Sequence, residues 1–247
     1  MSKPTMIIVP GAWQLPPAFE NIVKLLQETG YPTVHVPLPT VGGTELPLAG
    51  LSDDVDAVRN VLVPIVDKGK EVVVIGHSAG GISMSAAVEG YDAGSRKAAG
   101  KSGGVVRCIF MTAFVLPKGQ SLLGMLGGQP LPWMVVEGDR VTGNPGMLPQ
   151  VGLNDLSPEE QTKWAAGMTH TSAALFAAPA LYEPWANGIP CSYIFHTEDN
   201  ALPLAYQQGM AQLLGPEAKT ETLKAGHCSF RVLSIPDQLV KAIESTI

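Results

Sequence analysis

The sequence predicts an α/β fold, with about six mostly parallel strands, helices on both faces and an inserted helical lid. Three observations predict it. Short apolar, β-branched runs alternate with helix-length segments, the rhythm of a parallel sheet whose strands are buried on both faces. One such run, Glu71 to Ile75, stops at Gly76-His77-Ser78-Ala79-Gly80 and is followed by small residues, the strand–turn–helix order of a nucleophile elbow. The rhythm breaks at Pro117 and resumes at Cys191, which reads as one domain over residues 1–247 with a lid inserted at residues 117–190.

Taken in order, Thr5 to Val9 is a short apolar strand closed by Pro10-Gly11. Pro17 to Thr29 carries apolar residues at helical spacing and ends at Gly30. Thr33 to Pro37 is the second strand, and a Pro/Gly-rich connection runs to Gly50. Ser52 is the expected cap of a helix reaching about Asp67, with Asp53 and Asp54 at its positive end and Pro64 as a flaw. The elbow strand and a helix to about Glu89 follow. Residues 91–104 read as an irregular surface excursion, and Val105 to Met111 as a buried strand. In the insertion, Trp133 to Val141 reads as a hairpin, Ser157-Pro158-Glu159-Glu160 as a helix start, and Thr171 to Ala177 as a short helix. Cys191 to His196 is a strand, Leu202 to Leu214 a helix, Lys219 to Leu223 a strand, and a last helix starts near Ile235.

Composition narrows the function. The chain has 247 residues, a formal net charge of −6, 45% hydrophobic and 15% charged residues, which describe a compact enzyme-like chain with no attraction for nucleic acid or an anionic membrane. No apolar run approaches membrane-spanning length. Met1-Ser2-Lys3-Pro4 leads straight into a strand, so no targeting segment is expected. Three cysteines, two of them inside expected strands, fit a reduced, cytoplasmic setting. Cys228 follows a candidate histidine, but no spacing suggests a metal site, and no cofactor is implied.

An exposed serine needs a base, and the base needs a carboxylate that fixes its tautomer. In an open parallel sheet both must sit on loops at the strands' carboxyl ends. Of the five histidines His227, in Ala225-Gly226-His227 after the last strand, meets that condition best. His35 lies inside a strand, His77 is the middle elbow residue directed away from the serine, His170 belongs to the insertion, and His196 ends a strand. The acid is Glu198 or Asp199, with Asp199 favoured because the chain has one more position in which to turn; Asp139 and Asp155 lie in the insertion. The oxyanion of acyl transfer calls for two backbone donors, assigned to the N–H groups of Ala79 and Ala12.

With Val9-Pro10-Gly11-Ala12-Trp13, Gly76 to Gly80, Thr197-Glu198-Asp199 and Ala225-Gly226-His227 in place, the chain resembles the α/β-hydrolase superfamily along essentially its full length. It is most similar to the small members that include plant methyl-ester esterases, hydroxynitrile lyases and fungal esterase-like proteins. The resemblance implies the α/β-hydrolase fold. Pro10 stands where the superfamily usually has histidine. Gly11 and Cys228 stand where the lyases carry threonine and lysine, so cyanohydrin cleavage lacks its specific helpers.

The expected activity is hydrolysis of a carboxylic ester or lactone of an apolar small molecule, with Ser78 as nucleophile, His227 as base and Asp199 as its partner. Gly11, Trp13, Trp133, Met147, Trp164 and Met168 are the expected pocket residues, with Met134 and Phe176 as further large apolar neighbours. A lyase or cyclase using His227 only as base is the alternative, and a ligand-sensing protein a third.

Overall fold

The structure, a computed structural model, describes residues 3–231 and 235–247. Residues 1 and 2 of the stretch read for a targeting signal therefore lie outside the described residues. No described helix is long and apolar enough to cross a membrane.

The strands are β1 (Thr5–Val9), β2 (Thr33–His35), β3 (Glu71–His77), β4 (Gly104–Met111), β5 (Met134–Glu137), β6 (Arg140–Gly143), β7 (Thr171–Ser172), β8 (Cys191–His196) and β9 (Lys219–Leu223). Six of them form one sheet in the order β2-β1-β3-β4-β8-β9, and every neighbouring pair is parallel. The chain leaves β1 outward to β2, then returns to place β3 on β1's other side. The two loops leaving β1 and β3 thus diverge and open a crevice at their carboxyl ends, where open parallel sheets bind their ligands. Loop 10–13 and Ser78 both lie there.

Period-two alternation explains why β3 reads as a continuous apolar run. Val72 and Val74 join one buried cluster and Val73 and Ile75 the other, so both faces of the strand are covered. The second helix, Leu51–Val66, is capped differently from expectation. Gly50 takes the cap, Asp53 accepts a 2.7 Å hydrogen bond from the Gly50 N–H, and Ser52 lies inside the first turn. Asp54 does more than face the helix's positive end. It is fully buried and accepts from Thr40 N (3.0 Å), Thr40 Oγ1 (2.8 Å) and Ser83 Oγ (3.3 Å), tying the long connection to two helices. Pro64 falls in the last turn.

The excursion at 91–104 contains a helix, Ala93–Ala98. Asp92 caps it by accepting from Ser95 N at 2.7 Å, and buried Arg96 donates to the carbonyls of Val66, Ser102 and Gly103 and to Asp67. Apolar periodicity does not report a helix anchored by a buried arginine. Residues 171 and 172, expected as helix, form β7 because they pair with β6, and the helix spans Ala173–Ala177. The helix after β8 is Leu204–Ala211, finished by a 3-10 turn.

Between β4 and β8, strands β5, β6 and β7 form a separate antiparallel sheet. It is fastened to the crevice loops through Trp13, whose amide donates to Thr171 Oγ1 (2.7 Å) and whose indole N–H donates to Val141 O (2.8 Å).

Candidate active site

β3 ends at His77, the helix Gly80–Ala87 follows, and Ser78 between them has φ +53°. Few non-glycine residues adopt that region, and a residue held there marks a strained, over-determined turn. Two glycines allow it. A Cβ on Gly80 would stand 2.3 Å from Pro10 O and 2.4 Å from Val9 O, so the exit of β1 presses directly on the helix start. A Cβ on Gly76 would stand 2.9 Å from Gly81 Cα.

Asp199 lies just past β8 and is 4% exposed. Its Oδ2 accepts from His227 Nδ1 (2.7 Å) and from Thr112 Oγ1 (2.5 Å), and its Oδ1 from the amides of Ala201 and Leu202 (2.8 Å each). Burial alone raises its pKa; the nearby His227 charge and these hydrogen bonds outweigh burial and hold the carboxyl below its ordinary 3.8. Glu198 points elsewhere, half-exposed and 3.5 Å from Lys224 Nζ. Asp139 pairs with Arg140 on the hairpin, and Asp155 accepts from Gly226 N. The structure thus brings Asp199, not Glu198, to His227. Thr112 escaped the sequence reading. With Nδ1 engaged, Nε2 is the His227 nitrogen available to a hydroxyl. No hydrogen bond joins Ser78 Oγ to His227 among the described residues, but both border the same cavity. Such contacts commonly close only when substrate is bound.

The remaining histidines are engaged elsewhere. His35 stacks on Phe19, and burial pushes its pKa down to about 4. His170 Nε2 is 2.8 Å from Gly43 O. His77 and His196 bond carbonyls of the loop that carries His227.

Among the described residues, neither Ala12 N–H nor Ala79 N–H donates to a protein acceptor, while Trp13 N–H is taken by Thr171. Ala12 and Ala79 both border the cavity with Ser78. Two uncommitted amides at one serine are what a developing oxyanion requires.

The cavity is narrow and is walled by Trp13, Phe114, Leu122, Leu131, Trp133 and Phe176, with Met134 also lining it. A neighbouring pocket shares Phe114, Leu131, Trp133, Ala201 and Leu202 with it and is bounded by Met125, Leu126, Pro132, Pro203 and Tyr206. Among the described residues, no Asp, Glu, Lys or Arg lines either space. Trp13 and Trp133 are therefore pocket residues by position, while four other expected ones are not. Gly11 sits behind the serine, where a Cβ would be 2.7 Å from Ser78 Cβ. Met147 is 40% exposed. Trp164 packs with the cluster on the far side of the sheet, and Met168 borders a separate groove with Glu137 and Arg140. Phe114, Leu122, Leu131, Ala201 and Leu202 were missed; nothing in a run of apolar letters tells which face meets a void. Among the described residues no group of three or more His, Cys, Asp or Glu could hold a metal ion.

This arrangement can be set beside known proteins. The family model described as "Alpha/beta hydrolase family" matches residues 6–242. "Alpha/beta hydrolase nvfD" of Aspergillus novofumigatus is 31% identical over 251 aligned residues, covering 99% of this chain and 97% of that protein. Among solved structures, the pyrethroid hydrolase from Sphingobium faniae JZ-2 superimposes with a TM-score of 0.74 at 25% identity, over 98% of this chain and 96% of that one. Polyneuridine aldehyde esterase does so with a TM-score of 0.75 at 20% identity, over 99% and 98%. The sheet order, the serine turn between β3 and its helix, and a family match spanning nearly the whole length agree: the chain belongs to the alpha/beta hydrolase family.

Proposed function

We propose that the protein is a serine hydrolase that cleaves a carboxylic ester or lactone of an uncharged, apolar small molecule. The observation that carries this is the Asp199–His227 hydrogen bond beside a positive-φ serine that shares its cavity with two uncommitted amides. Ser78 Oγ attacks the carbonyl carbon as its proton passes to His227 Nε2. The imidazolium formed is balanced by Asp199, whose depressed pKa keeps it ionised. The tetrahedral oxyanion accepts from Ala12 and Ala79 N–H, each such donor being worth about 3 kcal/mol of barrier in comparable sites. Collapse returns the proton to the departing alkoxide and leaves an acyl-Ser78, which water, deprotonated by His227, then hydrolyses to the acid.

Substrate class follows from the walls. The largely apolar cavity and the pocket beside it present no Asp, Glu, Lys or Arg among the described residues to offset the desolvation of a charged group, so the scissile ester carries apolar groups on both sides. Residues 117–190 supply Leu122, Leu131, Trp133 and Phe176 and act as the lid. The similar proteins named as an esterase and a pyrethroid hydrolase support the same reading.

The test is labelling by a fluorophosphonate probe together with turnover of a p-nitrophenyl ester series, in the native protein and in Ser78→Ala. Labelling and turnover that both vanish in the variant are expected. Turnover that survives Ser78→Ala overturns the proposal, and labelling with no ester turnover redirects it to a lyase or cyclase.

A further inference from the structure

A catalytic base must hold its ring to within a fraction of an ångström, since misplacement by about 1 Å costs roughly 100-fold in rate. The loop carrying His227 has little rigidity of its own. It lies outside helix and strand, and it contains Gly226, the residue type that resists ordering most. What fixes it comes from elsewhere in the chain.

The last residue of β3 and the last residue of β8 are both histidine, and both are fully buried. His77 Nε2 lies 2.9 Å from the carbonyl oxygen of His227. His196 Nδ1 lies 2.9 Å from the carbonyl oxygen of Gly226. A carbonyl can only accept, so the proton sits on Nε2 in His77 and on Nδ1 in His196. Ser229 Oγ, 3.3 Å from His196 Nε2, supplies a donor to that ring's other nitrogen. From the insertion, Asp155 Oδ2 accepts from Gly226 N–H at 2.8 Å.

The placement is what separates this from ordinary satisfaction of buried groups. His77 directly precedes Ser78, and His196 stands three residues before Asp199. Each ring therefore joins the peptide of the base to the strand end that delivers one of the other two members. We propose that His77 and His196 are positioning residues, which donate to the two consecutive carbonyls of Gly226 and His227 and so set the distance of the His227 ring from Ser78 and Asp199. This rests on the reading of His227 as the base.

The experiment compares variants that keep the donor with variants that lose it. Gln places an amide N–H near a histidine's Nε2, and Asn places one near Nδ1. His77→Gln and His196→Asn are therefore the conservative forms; His77→Met and His196→Leu remove the donor. Expected for the donor-less forms is a fall in kcat of about 10- to 100-fold on a p-nitrophenyl ester with KM little changed, and fluorophosphonate labelling slowed alike. The conservative forms recover most of that rate although their Tm falls similarly. Equal impairment of both forms at matched Tm, or wild-type kcat in folded donor-less forms, overturns the proposal. Nitrogen NMR of ¹⁵N-histidine-labelled native protein tests it without any variant: His77 Nε2 and His196 Nδ1 must both carry protons, and a bare nitrogen at either position overturns it. If the native protein shows no Ser78-dependent turnover, the proposed function itself falls; if it does and these histidines do not matter, only this inference falls.

Discussion

Thr112→Val isolates one of the four hydrogen bonds on Asp199. Thr112 follows β4, is fully buried and has φ +37°, and its amide is held by Ile194 O at 2.9 Å. Valine keeps the shape and β-branching but has no hydroxyl for Oδ2, leaving His227 as that oxygen's one remaining donor. A hydrogen bond to a charged group is worth about 2 kcal/mol, so the variant is expected to lose about that much stability at pH 7. The sign with pH follows from the direction of the shift. Asp199 has a folded pKa below 3.8, so its contribution is present above 3.8 and disappears as pH falls through the folded value. The gap between native protein and Thr112→Val should therefore be full at neutral pH and narrow as pH falls through the folded-state titration of Asp199. Urea unfolding from pH 3 to 8 measures it, with Thr112→Ser as control. Serine keeps the donor and forfeits about 1 kcal/mol of methyl burial at every pH. A valine gap that widens as pH falls, or a serine curve that follows valine, would refute the reasoning.

Gly80→Ala puts a methyl within 2.4 Å of two carbonyl oxygens of the β1 exit, atoms that cannot turn aside as a side chain can. It should lower stability by about 3 kcal/mol and abolish fluorophosphonate labelling; a variant with native Tm and labelling contradicts this. Burial raises the Asp54 pKa to about 6, against the hydrogen bonds from Thr40 and Ser83 and with help from Asp53. The folded state then keeps a proton that the unfolded chain has released, so stability declines as pH rises from about 4 to about 6, by on the order of 3 kcal/mol in all. Asp54→Asn should flatten that decline, and urea midpoints for the two proteins that run parallel across the window would show it has another cause.

Legibility in the sequence followed the range of the interactions involved. Strands covered on both faces must be largely apolar, so the four central strands of the main sheet were readable from local letters, as was the serine turn with its flanking glycines. That Ser78, Asp199 and His227 lie on loops at one rim was readable because an open parallel sheet delivers the loops at its strands' carboxyl ends to one edge. Contacts made only in three dimensions were not. Thr112 reaches Asp199 across 87 positions, and His77 reaches the His227 carbonyl across 150. The buried Arg96 gave no periodic signal, and Ser52 imitated a cap that Gly50 and Asp53 provide. Large apolar residues in the insertion looked alike, yet Trp133 faces the cavity while Trp164 and Met168 face away.

Trp13 has one further consequence. Its amide, its indole and its carbonyl oxygen, which accepts from Thr169 N at 3.1 Å, are all fastened to the segment bearing the small sheet. That sheet cannot swing clear as a door without dragging the neighbouring Ala12 amide away from Ser78. Movement of that sheet would therefore disturb the amide beside Ser78, whereas the neighbouring pocket walled by Met125, Leu126, Pro132, Pro203 and Tyr206 lies outside these three hydrogen bonds.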